Sequence, residues 1–284
     1  MYFCSIIITK TKGLMRTKFF QLMLAALVVC TAMVITSCSS DDKDNNIDNL
    51  PEKIIGKWMP AEVDGNPVLT DKKSVYTFVS ATKAYMSVSI NSQQGEATVW
   101  NDQKELDVAI NGNTMTLTNY SDEHTTMVEE FNITAIDGSE FTANHKITVT
   151  VDGNVVLSNE GSIRFVKQTA DYGNAIVGTW QGHCTSTGSA FDDGEEHRWQ
   201  YNADGTYVYY VKDANGQWEP KPANISQYFV DGNLLCTRWQ NIGESENREW
   251  WEISVVGNRM NWTALRQNAD GTTFTATFEM TKVE

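Results

Sequence analysis

The side chains that most often catalyse reactions or bind metals are few in this sequence and do not group into a known motif. The four histidines stand at no spacing typical of a zinc site, and the serine-hydrolase, zinc-peptidase and phosphate-loop motifs are missing from the sequence. Glu249 and Glu252 would point to opposite faces of one strand, so they do not form the carboxylate pair of a glycosidase. The acidic run at 192–196 could hold calcium weakly or be a solvated loop. We therefore expect that the protein is not an enzyme and that it has neither a metal site nor a cofactor.

Aromatic rings are the other side chains that could bind a ligand, and seven of the nine tryptophans lie in the second half of the chain. The two-residue period of a strand assigns Trp251 and Trp262 to an inward face, and Trp239 shares the phase of an inward leucine. Trp199 and Tyr201 share one face of an earlier strand. These five rings either fill a core or line a cavity for a small hydrophobic ligand.

Trp250 has the opposite phase from Trp251 and should therefore face out of the same strand, beside Arg248. An exposed tryptophan next to a cation can stack on a sugar ring or contact a partner protein. The aromatic residues of the second half thus leave two hypotheses open, a ligand inside it or a glycan or protein on its surface.

Charge is distributed unevenly along the chain. The formal net charge is −14 at pH 7, and such acidity argues against a protein that binds nucleic acid through its phosphates. Residues 1–37 contain four basic residues and no acidic one, so the remainder has 18 basic and 36 acidic residues and a net charge of −18. A basic segment that differs so sharply from the rest indicates a targeting address at the N-terminus.

Residues 1–37 have the layout of a secretory signal peptide. Basic residues precede an apolar run at 19–35, and small residues follow it as far as Cys38. The run is slightly shorter than the roughly 20 residues that span a bilayer, and an uncleaved membrane anchor is the alternative. The sequence Ile-Thr-Ser-Cys at 35–38 resembles the lipobox of bacterial lipoproteins, which implies that Cys38 is lipidated and anchors the protein to a membrane. Met15 begins a conventional signal and could be the true start.

The segment after Cys38 is rich in aspartate, and we predict a flexible, charged tether over residues 38–50. Its acidic start resembles the export signal of surface lipoproteins in the Bacteroidetes group, and a solvated tether that faces the periplasm is the alternative. Both interpretations place the protein at the outer membrane, either on the cell surface or on the periplasmic face.

The rest of the chain divides into two halves that align with each other. Each half opens with Gly-x-Trp, at 56–58 and at 178–180, and continues with an aromatic strand, an Asx-Gly-Asn turn and a closing strand that ends in lysine. The same features in the same order, at similar spacing, indicate a repeat. We predict two tandem domains, 51–168 and 174–284, which are each of ordinary domain size.

Both halves have the two-residue period of half-buried strands, and neither has the pattern of an amphipathic helix. Asp-Gly and Asn-Gly turns separate the strands, as hairpins require. About eight short strands per half can close on themselves and so leave no free edge. The predicted fold class is therefore all-β, with two tandem antiparallel up-and-down β-barrels after the signal segment.

Both halves resemble the lipocalin-like, or calycin-like, domains found in lipoproteins of the Bacteroidetes group. The resemblance rests on the two Gly-x-Trp openings, the Asn-x-Asp-Gly-Thr turn at 202–206 and the Asp-Gly-Asn at 231–233, and it covers about residues 51–284. It implies eight-stranded barrels in which the first-strand tryptophans, Trp58 and Trp180, pack across the closed end, with capacity for a small apolar ligand. The first copy departs from the pattern, since it lacks the Asp-Gly turn after its second strand.

Cys184 and Cys236 are the two cysteines left after the signal and its lipidated residue, in a compartment that permits disulfides. Cys184 has the inward phase of Trp180, whereas Cys236 is out of phase with the inward positions of its strand. Side chains on opposite faces do not meet the geometry of a disulfide, so the alignment argues against a bridge.

Together these features favour a lipid-anchored protein of the cell envelope with a non-catalytic binding role. The first hypothesis is a small hydrophobic ligand inside the second barrel. The alternative is glycan or protein binding through exposed aromatic residues of the same barrel. A cavity inside the second barrel would favour the first hypothesis over the alternative.

Overall fold

The computed structural model describes residues 47–91, 98–120, 123–186 and 194–283. Within them the chain forms two antiparallel sheets of nine strands each, which confirms the predicted all-β fold class. The signal segment 1–37 and Cys38 lie outside the described residues. In the part of the chain that is described, no helix is long and apolar enough to cross a membrane.

The first sheet is built from nine consecutive strands, which are β1 (Gly56–Val63), β2 (Asn66–Pro67), β3 (Tyr76–Ser80), β4 (Lys83–Asn91), β5 (Thr98–Asn111), β6 (Thr114–Tyr120), β7 (Thr125–Ile136), β8 (Glu140–Val151) and β9 (Asn154–Gln168). Strand β1 pairs with β3 on one side and with β9 on the other, so eight strands close into a barrel, and β2 pairs with the end of β1. The helix α1 (Leu50–Lys53) precedes β1, and a 3-10 helix (Thr70–Lys72) lies between β2 and β3. We call this unit barrel 1.

The second sheet, barrel 2, also has nine consecutive strands, which are β10 (Gly178–Cys184), β11 (His197–Tyr201), β12 (Tyr207–Lys212), β13 (Trp218–Pro220), β14 (Ala223–Asp231), β15 (Leu234–Asn241), β16 (Asn247–Val256), β17 (Arg259–Gln267) and β18 (Thr273–Val283). Their order is β13-β12-β11-β10-β18-β17-β16-β15-β14, so the sheet curls until β12 approaches β14. The turn that leads into β12 meets β14 at the bridge pair Thr206–Gln227 and through a 2.8 Å hydrogen bond from the Tyr228 amide to the Gly205 carbonyl. We call this junction the seam of barrel 2.

The first-strand tryptophans have the same environment in both barrels. Trp58 and Trp180 are completely buried, and each indole N–H donates a 2.6 Å hydrogen bond to the backbone carbonyl four residues earlier, Ile54 or Ile176. A buried indole N–H needs a partner, and this bond supplies it. The burial expected for both tryptophans is therefore confirmed.

The glycine of each Gly-x-Trp motif is required by its backbone conformation and by a nearby lysine. Gly56 has a φ of 124° and Gly178 a φ of 131°, a region that residues with a side chain rarely adopt. A Cβ at Gly56 would lie 2.9 Å from the Cε of Lys167, and one at Gly178 would clash with Lys282 in the same way. The two ammonium groups lie over the tryptophan rings at 5.0 and 5.3 Å. The motif and the closing lysine recur together because they contact each other.

The predicted tether extends too far into barrel 1. Leu50 is 1% exposed, Ile47 packs against the core of barrel 1, and the Ile47 amide donates a 3.0 Å hydrogen bond to the side chain of Asn113. Residues 47–50 therefore belong to barrel 1, and the predicted boundary at residue 51 is too late. The charged composition of the segment predicts a tether, although its two apolar side chains, Ile47 and Leu50, pack against the core of barrel 1.

The two barrels pack against each other through a small apolar cluster. Its buried members are Met59 and Val75 of barrel 1 and Phe229, Leu234 and Cys236 of barrel 2. Trp100 of β5 and Trp250 of β16 pack against the edge of this cluster. Because these side chains leave water where the barrels meet, the hydrophobic effect stabilises the contact.

Ion pairs reinforce the contact between the barrels. Lys57 of β1 binds both Asp171 and Asp231, at 2.6 Å each, and Lys73 binds Glu252 of β16 at 2.6 Å. Burial lowers the pKa of Lys57, but the two carboxylates more than offset it, so the pKa lies above its ordinary value. Lys57 therefore stays charged at neutral pH and joins β1 to the linker and to barrel 2.

Candidate functional site

Barrel 2 encloses a cavity of about 180 Å³. Aromatic rings form most of its wall, from His197, Trp199 and Tyr201 of β11, Tyr207 and Tyr209 of β12, Trp239 of β15, Trp251 of β16 and Trp262 of β17. Lys221 and Ala223, which also line it, are exposed to solvent. An engineered apolar cavity of about 150 Å³ admits benzene, so this cavity has room for one ring or two fused rings.

The strand pattern predicts five rings that fill a core or line a cavity in the second barrel. All five line this cavity, namely Trp199, Tyr201, Trp239, Trp251 and Trp262. Tyr201, Trp251 and Trp262 are buried, and Trp199 and Trp239 are half-buried. The same rings pack against the core of barrel 2, so core filling and cavity lining both describe them. That a ligand binds among them stays a prediction.

Trp262 lies between the indoles of two neighbouring tryptophans. The centroid of its ring system is 4.8 Å from that of Trp199 and 5.3 Å from that of Trp251, and both pairs are tilted. The sheet register causes this packing, because β17 places Trp262 opposite Ile253 of β16 and Phe278 of β18. All of these side chains belong to the inward face of the sheet.

Two buried polar atoms of the cavity wall have no hydrogen-bond partner in the part of the chain that the structure describes. They are the indole Nε1 of Trp262 and the hydroxyl of Tyr201, whose residues are 3% and 1% exposed. Burial raises the pKa of Tyr201 well above its ordinary value, and Tyr207 and Tyr228 add to the effect, so the hydroxyl keeps its proton. Both atoms are donors without an acceptor, which is a costly state for a buried group.

The cavity wall also contains the carboxylate of Glu249. Its Oε2 accepts a 3.3 Å hydrogen bond from Nε1 of Trp251, and its Oε1 lies 3.7 Å from Nη2 of Arg266. The Arg266 guanidinium covers the face of the same tryptophan at 4.4 Å. Burial raises the pKa of Glu249, and Arg266 opposes the rise. The sequence carries a signal for this residue, since Glu249 shares the inward strand phase of Trp251.

Glu252 and His197 have structural partners. Glu252 faces away from the cavity, as its strand phase predicts, and binds Lys73. The His197 ring stacks on Trp199, and its Nδ1 lies 2.9 Å from the hydroxyl of Tyr209. Across the described ranges, no group of three His, Cys, Asp or Glu side chains could hold a metal ion. The predicted acidic run at 192–196 lies partly outside those ranges.

Barrel 1 has a glutamate at the position equivalent to Glu249. Glu129 precedes Phe131 by two residues on β7, as Glu249 precedes Trp251 on β16. The two rings are equivalent because each is paired with the second residue of the strand that follows the Asx-Gly-Asn turn. The two barrels therefore hold equivalent inward carboxylates, Glu129 and Glu249, in two different interiors.

In barrel 1 the interior groups satisfy one another. The Nε2 of His145 lies 3.1 Å from Oε2 of Glu129, and the hydroxyl of Tyr76 hydrogen-bonds the same carboxyl group. Phe165 stacks on Phe141 at 4.6 Å and meets Phe131 edge-on at 5.9 Å. These rings and paired polar groups surround Glu129 inside barrel 1.

The exposed position predicted for Trp250 and Arg248 is wrong. Both residues face out of barrel 2, but that face is covered by barrel 1. Trp250 is half-buried against the inter-barrel cluster, and Arg248 is 9% exposed, with its Nη1 donating to the carbonyl of Val99 and its guanidinium 5.4 Å from the Trp100 ring. Strand phase distinguishes inward from outward, but it does not show that another domain covers the outward side.

The two cysteines lie on the faces that their strand phases predict. Cys184 packs against the core of barrel 2, whereas Cys236 lies in the inter-barrel cluster on the outer face. Both are free thiols. Burial raises the pKa of Cys236 well above its ordinary value, so this thiol stays protonated and acts as a small apolar side chain.

No protein-family model matches the chain, and no curated protein matches it. Among solved structures, a double mutant of the vaccine antigen transferrin binding protein B from Haemophilus parasuis aligns at 10% identity over 75% of this chain, with a TM-score of 0.24. The alignment covers 53% of that protein, so this chain spans about half its length. A protein of unknown function from the DUF3598 family of Nostoc punctiforme aligns at 10% identity over 81% of this chain and 97% of its own, with a TM-score of 0.23.

Proposed function

We propose that this protein binds a small, mainly apolar ligand in the cavity of barrel 2. The observation that carries the proposal is the aromatic cavity itself, about 180 Å³ in volume and lined by the rings of the second repeat. Ligand sites are typically concave and mostly apolar, with a few polar groups that fix orientation. The cavity has this composition, with rings for contact area and Glu249, Ser226 and Thr237 as polar groups.

The volume limits the size of the proposed ligand. A cavity near 180 Å³ fits one or two fused rings and is too small for a long acyl chain. A ligand of about nine heavy atoms buries little area, so we expect a dissociation constant in about the micromolar to millimolar range. The proposed ligand is therefore a single-ring or two-ring molecule.

The proposed role is binding without catalysis. The carboxylate in the wall, Glu249, lies beside Arg266 and the indole N–H of Trp251. A general acid or base would instead be poised next to a nucleophile or to a second carboxylate across the cavity. The surroundings of Glu249 thus support a role in orienting a ligand.

We also propose that the protein is a lipoprotein of the Bacteroidetes type, held at the outer membrane by a lipid on Cys38. The lipobox-like sequence at 35–38 and the apolar run before it support this proposal. The tether can be no longer than about the eight residues 39–46, because Ile47 already packs against barrel 1. Both barrels would therefore lie close to the membrane surface.

Calorimetry with indene, an apolar two-ring hydrocarbon, tests the binding proposal. Wild-type protein should bind indene, and Ser226→Phe should abolish binding because the new ring occupies the cavity from β14. Trp218→Ala is the matched control, since Trp218 contacts Arg198 and Lys212 outside the cavity. Indene and its nitrogen analogues failing to bind the wild type, or binding Ser226→Phe equally well, would contradict the proposal.

Labelling of growing cells with a fatty-acid analogue tests the anchor. The wild-type protein should take up the label and sediment with membranes, whereas Cys38→Ser should remain unlabelled and be released. Cys184→Ser is the control for nonspecific thiol labelling. Label on the Cys38→Ser variant would contradict lipidation at this residue.

A further inference from the structure

The two barrels show that the unpaired donors of the cavity are not needed for the fold. Tyr201 pairs with Gly178 in the register of β11 and β10, and the equivalent partner of Gly56 in barrel 1 is Phe78. Trp262 pairs with Ile253, and the equivalent partner of Ile133 is Ala143. Barrel 1 closes without either polar atom, so their presence in barrel 2 has another cause.

Each donor is costly as long as it lacks an acceptor. The indole N–H of Trp262 can only donate, and the protonated hydroxyl of Tyr201 has a proton to donate. Neither has a hydrogen-bond partner within the described residues, although both side chains line the cavity. Native proteins pair nearly all buried polar groups, so two unpaired donors in one cavity wall indicate that something else supplies the acceptor.

The same wall can accept a hydrogen bond. A carboxylate offers about four lone-pair positions, and Glu249 uses one of them for the indole N–H of Trp251. The Arg266 nitrogen at 3.7 Å compensates its charge without a short hydrogen bond. The pair is close to neutral overall, so Glu249 does not require a cationic ligand.

The walls also constrain the shape of a ligand. Trp199, Trp262 and Trp251 form a continuous series of indoles with centroid separations of 4.8 and 5.3 Å, and Tyr209 meets Trp199 at 5.3 Å. Flat rings gain most from such surfaces, because offset stacking and edge contacts add to the burial of apolar area. The shape therefore favours a planar molecule over a branched aliphatic one.

From these features we infer that the ligand of barrel 2 is an uncharged, planar heteroaromatic molecule of one or two rings. Its edge presents an acceptor atom to Trp262 Nε1 or to the Tyr201 hydroxyl, and an N–H group to Glu249. This inference rests on the proposed function and names the chemical class of the ligand.

A series of three molecules of equal size separates this inference from simple hydrophobic binding. Indene has no polar atom, indole has an N–H donor, and benzimidazole has both an N–H donor and a ring-nitrogen acceptor. Hydrophobicity alone orders their affinities from indene to benzimidazole, and hydrogen bonding in the cavity reverses that order. In a mildly alkaline buffer, where all three are uncharged, we expect benzimidazole to bind at least about tenfold more tightly than indene.

Substitutions that keep the rings identify the atoms responsible. Trp262→Phe and Tyr201→Phe remove one donor each, and at least one of them should reduce the preference for benzimidazole over indene about fivefold or more. Trp218→Phe is the matched control, since Trp218 contacts Arg198 and Lys212 outside the cavity and its loss should leave that preference unchanged. Isothermal titration calorimetry on the full mature chain gives all the affinities.

Each result decides between defined alternatives. Indene binding as tightly as benzimidazole to the wild type would overturn the inference and leave the proposed apolar ligand in place. A preference for benzimidazole that both Trp262→Phe and Tyr201→Phe leave unchanged would also overturn it. Absence of binding by all three molecules would overturn the proposed function itself.

Discussion

Barrel 1 and barrel 2 place a glutamate at the same inward position, and the two carboxylates have different surroundings. Glu129 lies between His145 and Tyr76, which both contact its carboxyl group. Glu249 lies at a cavity, with Arg266 at 3.7 Å and a long hydrogen bond from Trp251. The repeat therefore preserves the strands and the position of the acid, while the partners of the acid differ between the two barrels.

The two barrels also differ in how completely two equivalent neighbouring strands pair with each other. In barrel 1, β4 and β5 pair from Lys83–Asp107 to Asn91–Thr98. In barrel 2 the equivalent strands are β12 and β14. Thr206, just before β12, forms an isolated bridge pair with Gln227 of β14, and β13 is inserted between the two strands in the chain. Tyr207 of β12 and Ser226 of β14 both line the cavity of barrel 2, so the seam forms part of the cavity wall.

The largest difference between the barrels should appear when equivalent central rings are removed. Phe131→Ala should lower the free energy of unfolding by about 3–5 kcal/mol, because a close-packed interior cannot refill the space. Trp251→Ala should cost less than its larger ring would suggest, because one side of that ring already faces a cavity. Urea denaturation followed by circular dichroism measures both, and a larger loss for Trp251→Ala would refute the contrast between a ring packed in a core and a ring at a cavity.

Equivalent glutamate-to-glutamine changes should have opposite effects on stability. Glu129→Gln should cost about 1–3 kcal/mol, because an amide replaces one acceptor oxygen by a donor and so deprives His145 or Tyr76 of its partner. The measurement is again the free energy of unfolding in urea at neutral pH. An unchanged value would show that the polar network of barrel 1 contributes nothing to its stability.

Glu249→Gln should raise stability slightly at neutral pH, and the gain should depend on pH. Burial raises the pKa of Glu249 in the folded protein, so its ionised form disfavours folding at any pH above that value. The cost falls as pH decreases and is lost below the unfolded pKa of about 4.3, where the carboxyl group is neutral in both states. Wild type and variant should therefore converge in acid. A constant difference from pH 7 down to about pH 4 would contradict the pKa direction.

The smallest effect on stability is expected from Tyr201→Phe, which gives barrel 2 the ring that barrel 1 has at Phe78. Removing a buried hydroxyl that lacks a partner should leave the free energy of unfolding unchanged or raise it by up to about 1 kcal/mol. Thermal denaturation without ligand measures it. A loss of more than about 1 kcal/mol would mean that the hydroxyl has a partner in the free protein.

Much of the fold could be predicted from the sequence because it depends on local patterns. The two-residue period identifies the strands, Asp-Gly and Asn-Gly identify the turns, and Gly-x-Trp identifies the repeat. The same period identifies Trp239, Trp251 and Trp262 as a set, and they line one cavity. These features need no knowledge of which strand lies beside which.

The features that the sequence did not reveal depend on contacts between distant segments. Strand phase predicts Trp250 and Arg248 at the surface, but their partners, Trp100 and the Val99 carbonyl, belong to the other barrel. The cavity likewise forms between rings of strands that are far apart in the sequence, β11, β12, β15, β16 and β17, and a one-strand pattern does not show how these strands meet. Composition also hid the packing of residues 47–50 against barrel 1.

Strand β16 belongs to two environments at once. Along one side, Arg248, Trp250 and Glu252 are held by barrel 1, and along the other, Glu249 and Trp251 line the cavity. Barrel 1 thus holds the outer face of β16 in place, and the inner face of the same strand lines the cavity. The repeated unit is a single barrel, but the cavity keeps its shape only when both barrels are present. Cutting the chain at the linker would remove barrel 1 and with it the contacts that hold the outer face of β16.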